Sequence, residues 1–124
     1  MTEKIYFTRQ EKLSEILENE NIDGLLISNL TNIRYISGFT GSAGTCLVTN
    51  KGSFFITDGR YIEQSKSQVK GFKRYIDMSS HLEIIKKNNL LLDGMKIGFE
   101  SDHVNFTLYE SMLNTFPNIK WEGT

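Results

Sequence analysis

The sequence predicts an α/β domain with a mixed six-stranded sheet and flanking helices. Three observations carry that reading. Helical and strand patterns alternate along the chain, which argues for helices laid on a sheet. Two β-branched and apolar runs, residues 45–49 and 54–57, are joined by Asn50-Lys51-Gly52-Ser53. Asn and Gly tolerate positive φ, so this is a hairpin, and it places one antiparallel pair inside the sheet. The chain has 124 residues, 39% hydrophobic and 23% charged, the size and balance of one domain with a real core.

The elements follow in order. Thr8-Arg9-Gln10-Glu11 reads as a capping box that starts a helix, with Leu13, Ile16 and Leu17 forming its apolar stripe. Asp23-Gly24 breaks it. Leu25-Leu26-Ile27 is a short apolar run bounded by turn residues, hence a buried strand. Residues 30–37 form a short helix with Ile33 and Ile36 on one side and Gly38 as its stop. After the hairpin, Asp58 caps a helix over residues 59–69, and residues 72–76 are a strand. Ser80-His81-Leu82-Glu83 is a second capping box, opening a helix that carries Leu82, Ile85 and Leu92 and ends at Asp93-Gly94. Residues 96–99 are a strand, residues 105–115 a helix with Leu108, Met112 and Phe116, and residues 119–121 a last strand.

Composition excludes several function classes. Fourteen Lys and Arg against fifteen Asp and Glu leave a net charge of −1, so no basic surplus points to nucleic acid. No apolar run has transmembrane length, and residues 1–4 lack a signal-peptide core. The single cysteine, Cys46, rules out an internal disulfide and fits a reducing, cytoplasmic compartment.

The chain also lacks a catalytic set. A hydrolytic zinc site needs about three protein ligands. Here there are two histidines, His81 and His103, with no HExxH or CxxC, so metal ligands are expected to be absent. His81 is read as a solvent-exposed residue in a helix first turn and His103 as part of a polar loop. Cys46 lies in a strand pattern with no histidine nearby, which makes it a buried, inert thiol. The stretch Gly38-Phe39-Thr40-Gly41-Ser42-Ala43-Gly44 is glycine-rich but leads into a strand, so it lacks the helix N-terminus of a phosphate cradle.

Two stretches are too particular for generic scaffold: Asn32-Ile33-Arg34-Tyr35-Ile36-Ser37-Gly38-Phe39-Thr40-Gly41-Ser42-Ala43-Gly44, and Thr57-Asp58-Gly59-Arg60-Tyr61. Together, on either side of a hairpin, they resemble the N-terminal domain of the creatinase/prolidase/aminopeptidase P family. Lys96-Ile97-Gly98-Phe99-Glu100 resembles that family's late strand, and the resemblance covers essentially residues 1–124. It implies a ribonuclease H-like fold and a two-part parent enzyme. The parent's pita-bread catalytic domain, absent from this chain, would hold two divalent ions (Mn, Co or Zn) and cleave Xaa-Pro bonds. This domain would be its non-catalytic partner, roofing the substrate cleft and supporting a homodimer. Xaa-Pro aminopeptidase is the favoured parent, with prolidase, creatinase or a peptide-binding relative lacking the metal ligands as alternatives.

Within that frame Arg60 is a candidate substrate-binding residue, because a guanidinium binds a carboxylate bidentately. Its structural alternative is a pair with Asp58 or another nearby carboxylate. Phe39 is a candidate cleft residue, with packing beneath its own loop as the alternative. Asp58 is a structural cap. Gly38, Gly41 and Gly44 are expected to permit backbone conformations closed to bulkier residues. Tyr35 and Tyr61 are placed in the core and Arg34 on a helix surface.

Overall fold

The computed structural model describes residues 2–124. Six strands form one sheet: β1 (Gly24–Ile27), β2 (Thr45–Thr49), β3 (Gly52–Thr57), β4 (Lys73–Ile76), β5 (Lys96–Phe99) and β6 (Lys120–Gly123). Their spatial order is β4-β3-β2-β1-β5-β6. β2 pairs antiparallel with both β1 and β3, and every other pairing is parallel. Five helices flank the sheet: α1 (Thr2–Asn19), α2 (Leu30–Ser37), α3 (Ile62–Gln68), α4 (His81–Lys87) and α5 (Phe106–Thr115).

The period-two alternation of the strands sorts the core into two layers. Leu26, Leu47, Ile56 and Ile97 pack with Leu82 and Ile85 of α4 and Met112 of α5. On the other face Ile27, Cys46 and Phe55 pack with Ile33 and Ile36 of α2, and Val48 with Leu17 of α1. No helix among the described residues is long and apolar enough to cross a membrane.

Local chemistry sets most boundaries. Asn29 caps α2 by accepting from the Thr31 amide at 2.9 Å, and Gly38 ends it at φ 87°, its amide donating to the Arg34 carbonyl. Ser80 caps α4 and Asn105 caps α5 in the same way, accepting from the Glu83 and Leu108 amides.

Four expectations need correction. The helix expected from Thr8 begins by Thr2, and Thr8 lies inside it with Oγ1 donating to the Lys4 carbonyl at 3.0 Å. Its inward stripe is buried Gln10 and Leu17 with half-buried Leu13, while Ile16 is 53% exposed. The segment over 59–69 is a 3-10 turn, Gly59–Tyr61, followed by α3. Finally α4 stops at Lys87, because Asn89 takes φ 54°, and Leu92 lies outside it.

Candidate functional site

β2 alone runs against the other five strands, so the C-terminal ends of β1, β3, β4, β5 and β6 meet the start of β2 along one edge. Open α/β sheets place ligand groups in crevices outside the carboxyl ends of their strands. The glycine-rich loop before β2, the Asp58–Tyr61 turn after β3 and Glu100 after β5 all lie on this edge.

Arg60 and Asp58 form a two-toothed pair. Arg60 Nε donates to Asp58 Oδ1 at 2.9 Å and Nη2 to Oδ2 at 2.8 Å, while the Arg60 amide donates to Oδ1 at 3.0 Å. Asp58 therefore both caps the 3-10 turn and aims the guanidinium. These hydrogen bonds hold the Asp58 carboxyl at about 2, below the usual carboxylate range, and push Arg60 up. The Arg60 side chain is still 68% exposed. Both readings of Arg60 are thus visible in one geometry: it is paired with Asp58, and it is presented to solvent.

The glycine-rich loop is latched at three points. Thr40 exchanges hydrogen bonds with Gln68, whose Oε1 accepts from the Thr40 amide and whose Nε2 donates to Thr40 Oγ1, each at 2.9 Å. Ser42 Oγ lies 2.5 Å from the Tyr61 hydroxyl, a bond that lowers the tyrosine's pKa. Thr57 Oγ1 donates to the Ala43 carbonyl at 2.6 Å. Beneath the loop, the Phe39 ring is 1% exposed and meets Phe55 and Tyr61 edge to face, with centroids 4.8 and 5.4 Å away.

The structure therefore corrects the cleft role given to Phe39: the ring is spent on packing beneath its own loop and has no surface left for substrate. The conformational role given to three glycines holds for Gly38 alone, at φ 87°. Gly41 and Gly44 are glycines for lack of room. A Cβ on Gly41 would lie 2.7 Å from Phe39 Cε2 and 2.9 Å from Tyr61 Cε1. A Cβ on Gly44 would lie 3.1 Å from Phe55 Cζ. Tyr61 is half-buried, but Tyr35 is 57% exposed and lies outside the core.

Glu100 is the residue that sequence reasoning passed over. Its Oε1 accepts from the Ser28 and Asn29 amides at 2.7 and 2.8 Å, and its Oε2 accepts from Asn32 Nδ2 at 2.5 Å. One carboxylate thus fastens the start of α2 to the end of β5. Both partners were already inside quoted motifs: Asn32 opens the first stretch and Glu100 closes the third. The signal was there, but nothing in the sequence joined positions 68 residues apart.

Beside this edge a groove of about 660 Å³ opens between α4, α5 and the loop. Leu26, Leu82 and Leu108 line it, with His81 and His103 among its polar groups. His81 is half-buried rather than exposed, and its Nδ1 lies 2.7 Å from Thr45 Oγ1. Burial lowers its pKa from 6.5, against the charge of Asp58, which raises it. The unfolded chain therefore binds more protons than the folded one just below pH 6.5. The His81 contribution is whole above pH 6.5 and is lost as pH falls through that window. A plot of melting temperature against pH should slope downward on acidification there, and His81→Asn should flatten it; parallel curves would refute this. Cys46 is buried, which pushes its thiol up and leaves it inert. Among the described residues no three His, Cys, Asp or Glu side chains gather closely enough to hold a metal ion.

Comparison with known proteins decides the family. Residues 9–124 match the creatinase/prolidase N-terminal domain. The chain belongs to that family. A creatinase/prolidase N-terminal domain of this kind is also seen in its relatives. The chain is 41% identical over 102 residues to the peptidase YqhT of Bacillus subtilis, covering 82% of this chain and 29% of that protein. The Xaa-Pro dipeptidase of Bacillus anthracis superposes with a TM-score of 0.86 at 29% identity, over 96% of this chain and 33% of that one. A Streptococcus pyogenes Xaa-Pro aminopeptidase structure superposes with a TM-score of 0.87 at 29% identity, over 100% of this chain and 94% of that one. The mixed six-stranded sheet is the architecture of these creatinase/prolidase domains.

Proposed function

We propose that this creatinase/prolidase domain is the non-catalytic N-terminal part of a cytoplasmic Xaa-Pro aminopeptidase. It borders the substrate cleft with the edge that carries Arg60 and supports a homodimer. The observation that supports this reading most is the Asp58–Arg60 pair, an exposed guanidinium held at the carboxyl ends of the strands beside a hydrogen-bonded loop. Such a group binds a peptide carboxylate or carbonyl with little loss of freedom.

The hydrolytic chemistry belongs, in this proposal, to two divalent ions in a separate catalytic domain, where they activate water. Among the described residues no His, Cys, Asp or Glu cluster could hold those ions, and no catalytic step is assigned to these residues. Their task is to bind, orient and shield.

The test has two arms. The 124-residue chain, incubated with Mn, Co or Zn, should release no product from Ala-Pro-Ala or Ala-Pro. The protein expressed from the whole reading frame that encodes it should cleave Ala-Pro-Ala with metal. Metal-dependent turnover by the short chain, abolished by a point mutation within it, would overturn the non-catalytic assignment. Failure of the whole protein to cleave Ala-Pro-Ala, or cleavage of Ala-Pro alone, would overturn the aminopeptidase reading.

A further inference from the structure

Away from the strand-end edge, a second groove of about 450 Å³ runs between α1 and α2. Its lining is Lys4, Ile5, Thr8, Arg9, Lys12 and Tyr35. Three of those six residues are cations, and none is Asp or Glu. The ion pairs among the described residues engage Arg60, Lys70, Lys87 and Lys96, so Lys4, Arg9 and Lys12 have no carboxylate partner there. This is a local excess in a domain whose net charge is only −1.

Arg9 is also held ready. Its Cζ stacks 3.9 Å from the Tyr35 ring centroid and 5.5 Å from that of Tyr6. Its Nη1 donates to the Tyr35 carbonyl at 2.7 Å. Its other guanidinium N–H groups have no partner among the described residues. A guanidinium fixed in this way loses little side-chain freedom on taking up a carboxylate. Beside it, Ile5 is 48% and Tyr35 57% exposed, which is apolar surface without cover.

We propose that this groove docks an acidic segment of a partner protein, one that carries an aromatic or aliphatic side chain between carboxylates. A carboxylate takes the open side of Arg9, further acids face Lys4 and Lys12, and the apolar side chain covers Ile5 and the free part of Tyr35. The charge favours this occupant over a neutral peptide, and the apolar floor favours it over a bare anion. The surface is separate from Arg60 and does not depend on the role given to that residue.

The probe is a blocked hexapeptide, Glu-Phe-Glu-Asp-Leu-Glu, titrated into the 124-residue chain with Tyr35 and Arg9 signals followed by NMR. Binding should shift those signals and weaken as salt rises. The pair Lys4→Glu with Lys12→Glu should weaken it at least about tenfold. The milder pair Lys4→Gln with Lys12→Gln should weaken it less, and it gives the reading even if the charge reversal unfolds the domain. No shift at millimolar peptide, equal binding of the Gln-for-acid peptide, or unchanged affinity in the Lys4→Gln/Lys12→Gln protein would overturn the proposal. So would tight binding to phosphatidylserine vesicles that the peptide does not displace, which would make the surface a membrane contact.

Discussion

Replacing Glu100 with alanine is expected to destabilise the domain by about 3 kcal/mol, one of the largest effects any single polar side chain should have here. The carboxylate serves the Ser28 and Asn29 amides and Asn32 Nδ2 at once. Hydrogen bonds to a charged group each contribute about 1.5–3 kcal/mol, and their loss leaves part-buried donors bare. Water reaches this half-buried site and replaces some of them, so the sum is well below three full bonds. For a domain of this size the melting temperature should fall by on the order of 10 °C. Glu100→Gln should behave differently. The new amide keeps one oxygen for the two backbone donors, and rotation of the Asn32 amide lets its oxygen accept from the new nitrogen. That variant should lose about 1 kcal/mol. Thermal and urea unfolding of both variants decide the matter. Equal losses would mean that the charge of Glu100, and not the shape of its side chain, holds α2 to β5.

Glu100 also shows where the sequence was legible and where it was not. Local chemistry was readable because its cause is local. Gly38, Ser80 and Asn105 end or start helices through bonds to residues three or four positions away. The hairpin was readable from its turn, and Cys46 from its apolar neighbours. Errors came where a distant contact overrode the local pattern. Gln10 is buried because its amide reaches the Ile36 and Lys70 carbonyls, so a polar residue sits on the apolar stripe and disguises it. Thr8 and Glu11 have capping-box spacing, yet the helix continues upstream of them and the hydroxyl bonds backward instead. His81 was placed in solvent because a helix first turn is normally wet, but the start of β2 lies against it. At the candidate site, Arg60 and Asp58 were adjacent enough to be paired from sequence. The burial of Phe39 and the Ser42–Tyr61 latch depend on how the loop folds over β3, which no spacing encodes.

In the whole parent protein, Arg60→Ala is expected to reduce kcat/KM for Ala-Pro-Ala by about 10- to 150-fold, the range for a lost charged hydrogen bond in the transition state. The melting temperature should scarcely move. The Asp58–Arg60 pair is exposed, and exposed pairs contribute little to folding because water and salt screen them. The Asp58 cap on the Arg60 amide survives the substitution, since it uses backbone and not side chain. Asp58→Asn separates aiming from presence. It keeps the guanidinium and one acceptor but removes the two-toothed clamp, so its loss in kcat/KM should be smaller than that of Arg60→Ala. Acid gives a second handle. The Asp58 carboxyl is held at about 2 by Arg60, so the clamp is complete above pH 3.8 and fails only as pH falls from there toward about 2. The Arg60-dependent part of kcat/KM should therefore carry no Asp58 titration between pH 5 and 8. If kcat/KM per folded molecule is unchanged in Arg60→Ala, the guanidinium does not reach substrate, and its partner is Asp58 alone.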